Sequence, residues 1–404
     1  MAEVTGEYDV EAVRRCFPAL EDGTAFFDGP GGSQTPTAVA DAIRDAMLHP
    51  LSNRGTTTAA ARNAEDVVGR CRHALADLLG AGPDEVIFGR SMTALTFDLS
   101  RTLATRWRPG DEVVVTRLDH DANIRPWVIA AEAVGAVVRW VDFDPETGEL
   151  PVARVEAQLS PRTRVVAVTA ASNLIGTMPD VAAIAERVHA AGALLYVDGV
   201  HYTAHEVVDV RALGADFFAC SPYKFLGPHC GVVAGRRAVL AELRPAKLLP
   251  STDEVPERFE LGTLPYELMA GVTATIEFLS DLTDLTGSRR ERLVAGMHAL
   301  QRHEDALRTR IEAGLARLPG VEVHSRAARR TPTLLLTFDG HPAAQIAIAL
   351  AGRGMNAPAG SFYALEASRR LGLGDEGGLR VGLAPYNTDD DVDRLLDAFA
   401  ELLS

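Results

Sequence analysis

Between Gly80 and Gly235 the chain repeats one unit, a short apolar run followed by a longer amphipathic stretch. The runs are Glu85 to Phe88, Glu112 to Thr116, Val137 to Asp144, Arg164 to Thr169, Leu194 to Asp198 and Asp216 to Ser221. They are apolar on both sides of the strand alternation, as strands covered by helices on both faces must be. The stretches between them read as helices. Val181 to Ala191 is one, with Gly192 placed to stop it. Strand, helix, strand in succession predicts a mainly parallel sheet in an α/β domain.

After Gly235 the pattern changes. Arg244 to Gly262 is rich in proline and charge and reads as an irregular connection. Met269 to Leu282 and the long stretch Arg289 to Leu318 read as helices. Strands are expected near Val321 to His324, Thr333 to Phe338 and Gly378 to Leu383, with a helix over Pro342 to Arg353. Thr388 and Asp391 form a variant capping box for a closing helix. The expected division is a large domain over 22–280 and a smaller α+β domain built from 1–21 and 281–404.

With 404 residues the chain exceeds one ordinary small core. Its net charge of −15 argues against a nucleic-acid or anionic-membrane binder, which needs basic surface. No apolar run reaches bilayer length. Met1 to Arg15 shows neither an apolar stretch nor a small-residue cleavage site, so no signal peptide is expected. Cys16, Cys71, Cys220 and Cys230 form no CxxC pair and no zinc spacing, and fit reduced thiols in a cytoplasmic protein.

In open parallel sheets ligands bind beyond the carboxyl ends of the strands, and here those ends carry polar residues. Ser91-Met92-Thr93 opens a helix and can cradle a phosphate, although a plain N-cap is the commoner use of such residues. His120 can stack on a flat ring or be an ordinary loop histidine, and Asn173 can bond a ring hydroxyl or close an Asx turn. Asp198 ends an apolar strand, so a cationic partner is expected for it: a protonated pyridine nitrogen, an arginine or a metal. Ser221-Pro222-Tyr223-Lys224 puts a lysine just past another strand. Each signal alone is weak. As a set they match one ligand, pyridoxal phosphate, which brings a phosphate, a ring, a phenolic oxygen, a pyridinium and an aldehyde. Gly29-Pro30-Gly31-Gly32 lacks both GxGxxG and the Walker lysine, and neither GxSxG nor HExxH occurs.

These segments resemble the class V aminotransferase superfamily, in its cysteine desulfurase-like branch. The likeness runs from Phe26-Phe27-Asp28-Gly29-Pro30-Gly31-Gly32 to Arg380-Val381-Gly382-Leu383-Ala384-Pro385-Tyr386-Asn387-Thr388. It implies a fold-type I enzyme with a seven-stranded, mainly parallel sheet, acting as a homodimer with shared active sites on a small amino-acid substrate. Lys224 is implied as the Schiff-base lysine, Asp198 as the partner of the pyridine nitrogen and His120 as the stacking imidazole. Ser91, Met92, Thr93 and Ser221 are implied at the phosphate. Asn173 is implied near the ring hydroxyl or substrate, and Gly262-Thr263 at the partner subunit's phosphate. Arg380 is implied as the clamp for a substrate carboxylate, where a guanidinium fork fits. Arg54 and Tyr363 are further candidates at the substrate.

Three departures stand out. His201 occupies the place of a frequent glutamine near the ring, and Tyr223 that of a histidine before the lysine. The loop that carries the desulfurase cysteine reads Gly360-Ser361-Phe362-Tyr363-Ala364, and no cysteine follows Cys230. The implied chemistry passes through an external aldimine and a Cα carbanion. With the loop cysteine gone, β-elimination of the C–S lyase type is favoured over transamination, epimerisation or desulfuration. A pyridoxal phosphate-binding regulatory protein is the non-enzymatic alternative.

Overall fold

The structure, a computed structural model, describes residues 8–404; Met1 to Glu7, part of the signal-peptide reading and of the expected small domain, lie outside the described residues. Helix α1 (Ala59–Leu79) leads into the repeating region. There β1 (Val86–Gly89) is followed by α2 (Met92–Ala104), β2 (Glu112–Thr116), α3 (Arg125–Val134), β3 (Val137–Val141) and β4 (Thr163–Thr169). Helix α4 (Val181–Ala190), β5 (Leu194–Asp198), β6 (Phe217–Cys220) and β7 (Gly231–Gly235) complete it. The seven strands form one sheet in the order β1-β7-β6-β5-β4-β2-β3. Only β7 runs against its neighbours.

The alternation within each strand decides which core a side chain enters. On β4, Val166 and Val168 join one buried cluster, while Val165 and Ala167 join the cluster on the opposite face. On β5, Leu195 and Val197 face the first and Tyr196 the second. Both faces are therefore dry, and the only polar exits are the strand ends. Strand β3 stops earlier than the sequence suggests, because Asp144 turns the chain by accepting the Glu146 amide at 2.8 Å. Strand β7 is not among the six apolar runs, and it supplies the seventh strand that the resemblance implies. It follows β6 without a helical crossover, and this short return carries Lys224.

The second half adds α5 (Tyr266–Ser280), the long α6 (Arg289–Leu315) and a second sheet. Its strands are β8 (Val321–Val323), β9 (Thr333–Phe338), β10 (Ala359–Gly360) and β11 (Gly378–Gly382), antiparallel in the order β10-β11-β9-β8. Helix α7 (Ala343–Ala351) packs on it, and α8 (Asp389–Leu402) closes the chain from the Thr388–Asp391 capping box. Ala25 and Phe26 pair in parallel with Met355 and Asn356, and Asp28 bridges to Gly382. Ala25 and Phe27 are thus buried in this third core, far along the chain from its other members. Among the described residues no helix is long and apolar enough to cross a membrane.

One glycine couples the sheet to the site. A Cβ on Gly231 would lie 2.1 Å from the Ser91 carbonyl carbon and 2.2 Å from the Met92 nitrogen. The start of α2 rests directly on β7 only because that Cβ is missing. Gly231→Ala is expected to lower the unfolding free energy by about 1–3 kcal/mol, the cost of overpacking, measured by urea denaturation. An unchanged midpoint would show that α2 yields freely.

Candidate active site

The carboxyl ends of β1, β2, β4, β5 and β6 converge on one pocket, and the residues following them form its wall. Ser91, Met92 and Thr93 come from the start of α2, His120 from the loop after β2 and Asn173 from the loop after β4. Asp198 is the last residue of β5, His201 lies three residues on, and Ser221, Tyr223 and Lys224 follow β6. Ser91 is the N-cap of α2, accepting the Ala94 amide at 3.1 Å, so its hydroxyl meets the commoner expectation for such a residue. The first amides of α2 have no carbonyl of their own helix to bond, which suits an anion.

Asp198 is buried, and one carboxylate oxygen accepts the Val200 amide at 2.9 Å. Among the described residues it forms no ion pair. Burial pushes its carboxyl up to about 6, although the Val200 amide and the Lys224 charge pull the other way. Lys224 reaches into the pocket and donates to the Pro30 carbonyl. Burial lowers its amine to about 8; Arg380 adds to the drop, while Asp28 and Asp198 oppose it. His120 accepts the Ala122 amide on Nδ1 at 3.0 Å, and burial together with Lys224 lowers it to about 4. It is a neutral ring at neutral pH, with its proton on Nε2.

His201 is also neutral, held far below its ordinary value by burial, and its Nε2 lies 2.9 Å from both Thr331 Oγ1 and Thr333 Oγ1. Its Nδ1 is buried without a partner, as is Asn173 Oδ1. Tyr223 stacks on His229, with ring centroids 4.6 Å apart and planes 11° from parallel. Beneath His120 lies Asp119, a residue the sequence reading passed over. It accepts from Thr116 and from Asn123 Nδ2 at 2.7 Å, and burial raises it to about 8.

An outer cavity opens from this pocket and is lined by Asp28, Arg125, Phe362, Tyr363 and Arg380 among others. Arg380 is buried and donates to Asp28 Oδ1 at 2.6 Å and to the Asn173 carbonyl at 3.1 Å. Its guanidinium carbon stands 3.7 Å from the Phe362 ring centroid. The role of Asp28 was missed. The available signal was a carboxylate at the head of a glycine-rich segment, two residues beyond a two-residue strand. Arg54, Gly262 and Thr263 do not line either cavity. Arg54 is paired instead with Glu65 at 2.7 Å and Glu257 at 2.6 Å.

The pocket suits pyridoxal phosphate on its own geometry. It offers a buried carboxylate lacking a cationic partner, a lysine amine with a lowered pKa, unsatisfied buried polar atoms on Asn173 and His201, and a helix N-terminus. A doubly covered parallel sheet with these groups at its strand ends defines a pyridoxal phosphate-dependent enzyme of fold type I. Residues 25–395 match the aminotransferase class-V family model, and the chain belongs to that family, in its cysteine desulfurase-like branch. It is 35% identical over 98% of its length to an uncharacterized protein (MT3887) of Mycobacterium tuberculosis, covering 99% of that protein. A cysteine desulfurase of Dickeya dadantii is 31% identical, with 96% of this chain and 95% of that protein aligned. The cysteine desulfurase CsdA of Escherichia coli superposes with a TM-score of 0.87 at 27% identity, covering 98% of this chain and all of that one (100%). The cofactor of this enzyme is accordingly pyridoxal phosphate.

The lowered amine makes a prediction for the cofactor-free protein. Acylation at residue 224, quantified by peptide mass, should rise with pH through an inflection near 8. An ordinary lysine inflects at about 10.4, and that result would refute the reading of Lys224 as a buried, desolvated amine.

Proposed function

We propose that this enzyme removes a Cβ substituent from an amino-acid substrate, a β-elimination of the C–S lyase type. The observation that carries this reading is the turn facing Lys224, which presents Phe362 and Tyr363 and no thiol. Desulfuration requires an accessible thiolate. Cys71, Cys220 and Cys230 are buried, and burial raises all three thiols.

Pyridoxal phosphate, when bound, supplies the electron sink for charge left at the substrate Cα. The α2 amides at Met92 and Thr93, together with Ser221, would hold its phosphate. Asp198 holds a proton on the ring nitrogen, which in turn gives that carboxylate its missing cation. His120, a neutral ring, would stack on the cofactor, and Asn173, His201 and Tyr223, which line the same pocket, would hold it in place. Arg380, which lines the outer cavity, would bind the substrate carboxylate and so select which Cα bond is activated. Lys224 takes the Cα proton; an amine near 8 is partly neutral at working pH and suited to a general base. Loss of the Cβ group, followed by hydrolysis, gives the free leaving group, pyruvate and ammonia.

Purified protein supplied with L-cysteine, cysteine sulfinate and S-methylcysteine should form pyruvate from at least one of them. Lys224→Ala should lower that rate by at least about 100-fold. Persulfide and alanine without pyruvate would support desulfuration instead, and amino transfer to an added 2-oxo acid would support transamination.

The working unit in this reading is a cytoplasmic homodimer, in which Arg54 and Gly262-Thr263 serve the neighbouring subunit's site. In support, Met47, Leu48, Leu248, Leu249 and Leu261 are exposed apolar side chains, Leu249 by 98%. Light scattering should give twice the chain mass, and Leu249→Asp should shift the protein toward monomer and weaken cofactor retention. A monomeric wild-type protein with full cofactor occupancy would refute the dimer.

A further inference from the structure

We propose that Phe362 is a positioning residue that fixes the plane of the Arg380 guanidinium for the substrate carboxylate, through a turn built as a rigid scaffold. This rests on the reading of Arg380 given above. Phe362 and Tyr363 are adjacent non-glycine residues at φ +51° and +57°, in the left-handed region. Side chains seldom adopt that conformation unless their surroundings enforce it. Here the surroundings do. The Tyr363 carbonyl accepts the Asp121 amide at 2.7 Å, and the Phe362 carbonyl accepts Asn173 Nδ2 at 3.0 Å. The Ala364 amide closes the turn on the Ser361 carbonyl at 2.8 Å. Tyr363 also lies 5.5 Å from the His120 ring, centroid to centroid.

The result is a closed circuit. Asn173 accepts from Arg380 with its backbone carbonyl and holds the Phe362 backbone with its side chain, while the Phe362 ring covers one face of the guanidinium. Asp28 takes one terminal nitrogen and Asn173 the other. The Arg380 Nε–H is buried and has no partner. With both terminal nitrogens bonded and one face stacked, the planar fork is held in one orientation. The ordering cost of a long side chain is met before substrate arrives, the usual gain of preorganisation.

The test uses the holoenzyme and two probes, L-alanine, which has an α-carboxylate and no Cβ leaving group, and ethylamine, which has no carboxylate. Dissociation constants come from the cofactor absorbance change. Wild type should prefer L-alanine, and Arg380→Ala should erase the preference. Phe362→Leu should cut it roughly tenfold, the scale of a desolvated cation–π contact, with ethylamine binding unchanged. Phe362→Tyr, which keeps the ring, should restore it. If Phe362→Leu retains the wild-type ratio while Arg380→Ala loses it, the positioning role is wrong and the Arg380 reading stands. If Arg380→Ala retains the ratio, the carboxylate lies elsewhere and both fall.

Discussion

A buried carboxylate without a cation of its own is unstable, and the pocket is organised around that fact. Asp198 ends the central strand β5, with dry cores on both faces of the sheet behind it. One amide hydrogen bond cannot compensate for desolvating its charge, which is why its carboxyl is pushed upward. Across the pocket, Lys224 is pushed the opposite way by the same burial. The two groups are mismatched to their surroundings in complementary senses, and a ligand with a ring cation and a carbonyl resolves both.

The sheet and the pocket floor were legible in the sequence because one periodicity governs both. A strand buried on both faces has its only polar outlets at its ends, so Asp198, Asn173 and His120 announce themselves at the close of apolar runs. Lys224 was visible for the same reason, although β7, the strand that makes its loop short, showed only as the seventh strand that the resemblance implies. That segment is two valines and an alanine between glycines, too little pattern to separate from a turn.

The outer wall was less legible. Asp28 meets Arg380 across 352 residues, and Asn173 meets Phe362 across 189. No local pattern encodes such contacts. Asp119 was hidden differently: it sits beside a histidine that draws the attention, and its environment comes from Thr116 and Asn123 packing around it. Gly262-Thr263 were singled out through resemblance alone and Arg54 only as a candidate at the substrate, and within one chain all three lie outside the pocket.

The pairing of residues 25–28 with 355–356 and 382 has a consequence for how the molecule comes into being. A nascent chain emerges from the ribosome amino end first, so Ala25, Phe27 and Asp28 wait through nearly the whole of translation for their partners. The parallel sheet can form meanwhile, since its strands adjoin mostly near neighbours in sequence. Pro30 and Ser33 can meet Lys224, Tyr223 and Leu226 once β6 and β7 are made, whereas Asp28 can pair with Arg380 only after the last strand is released.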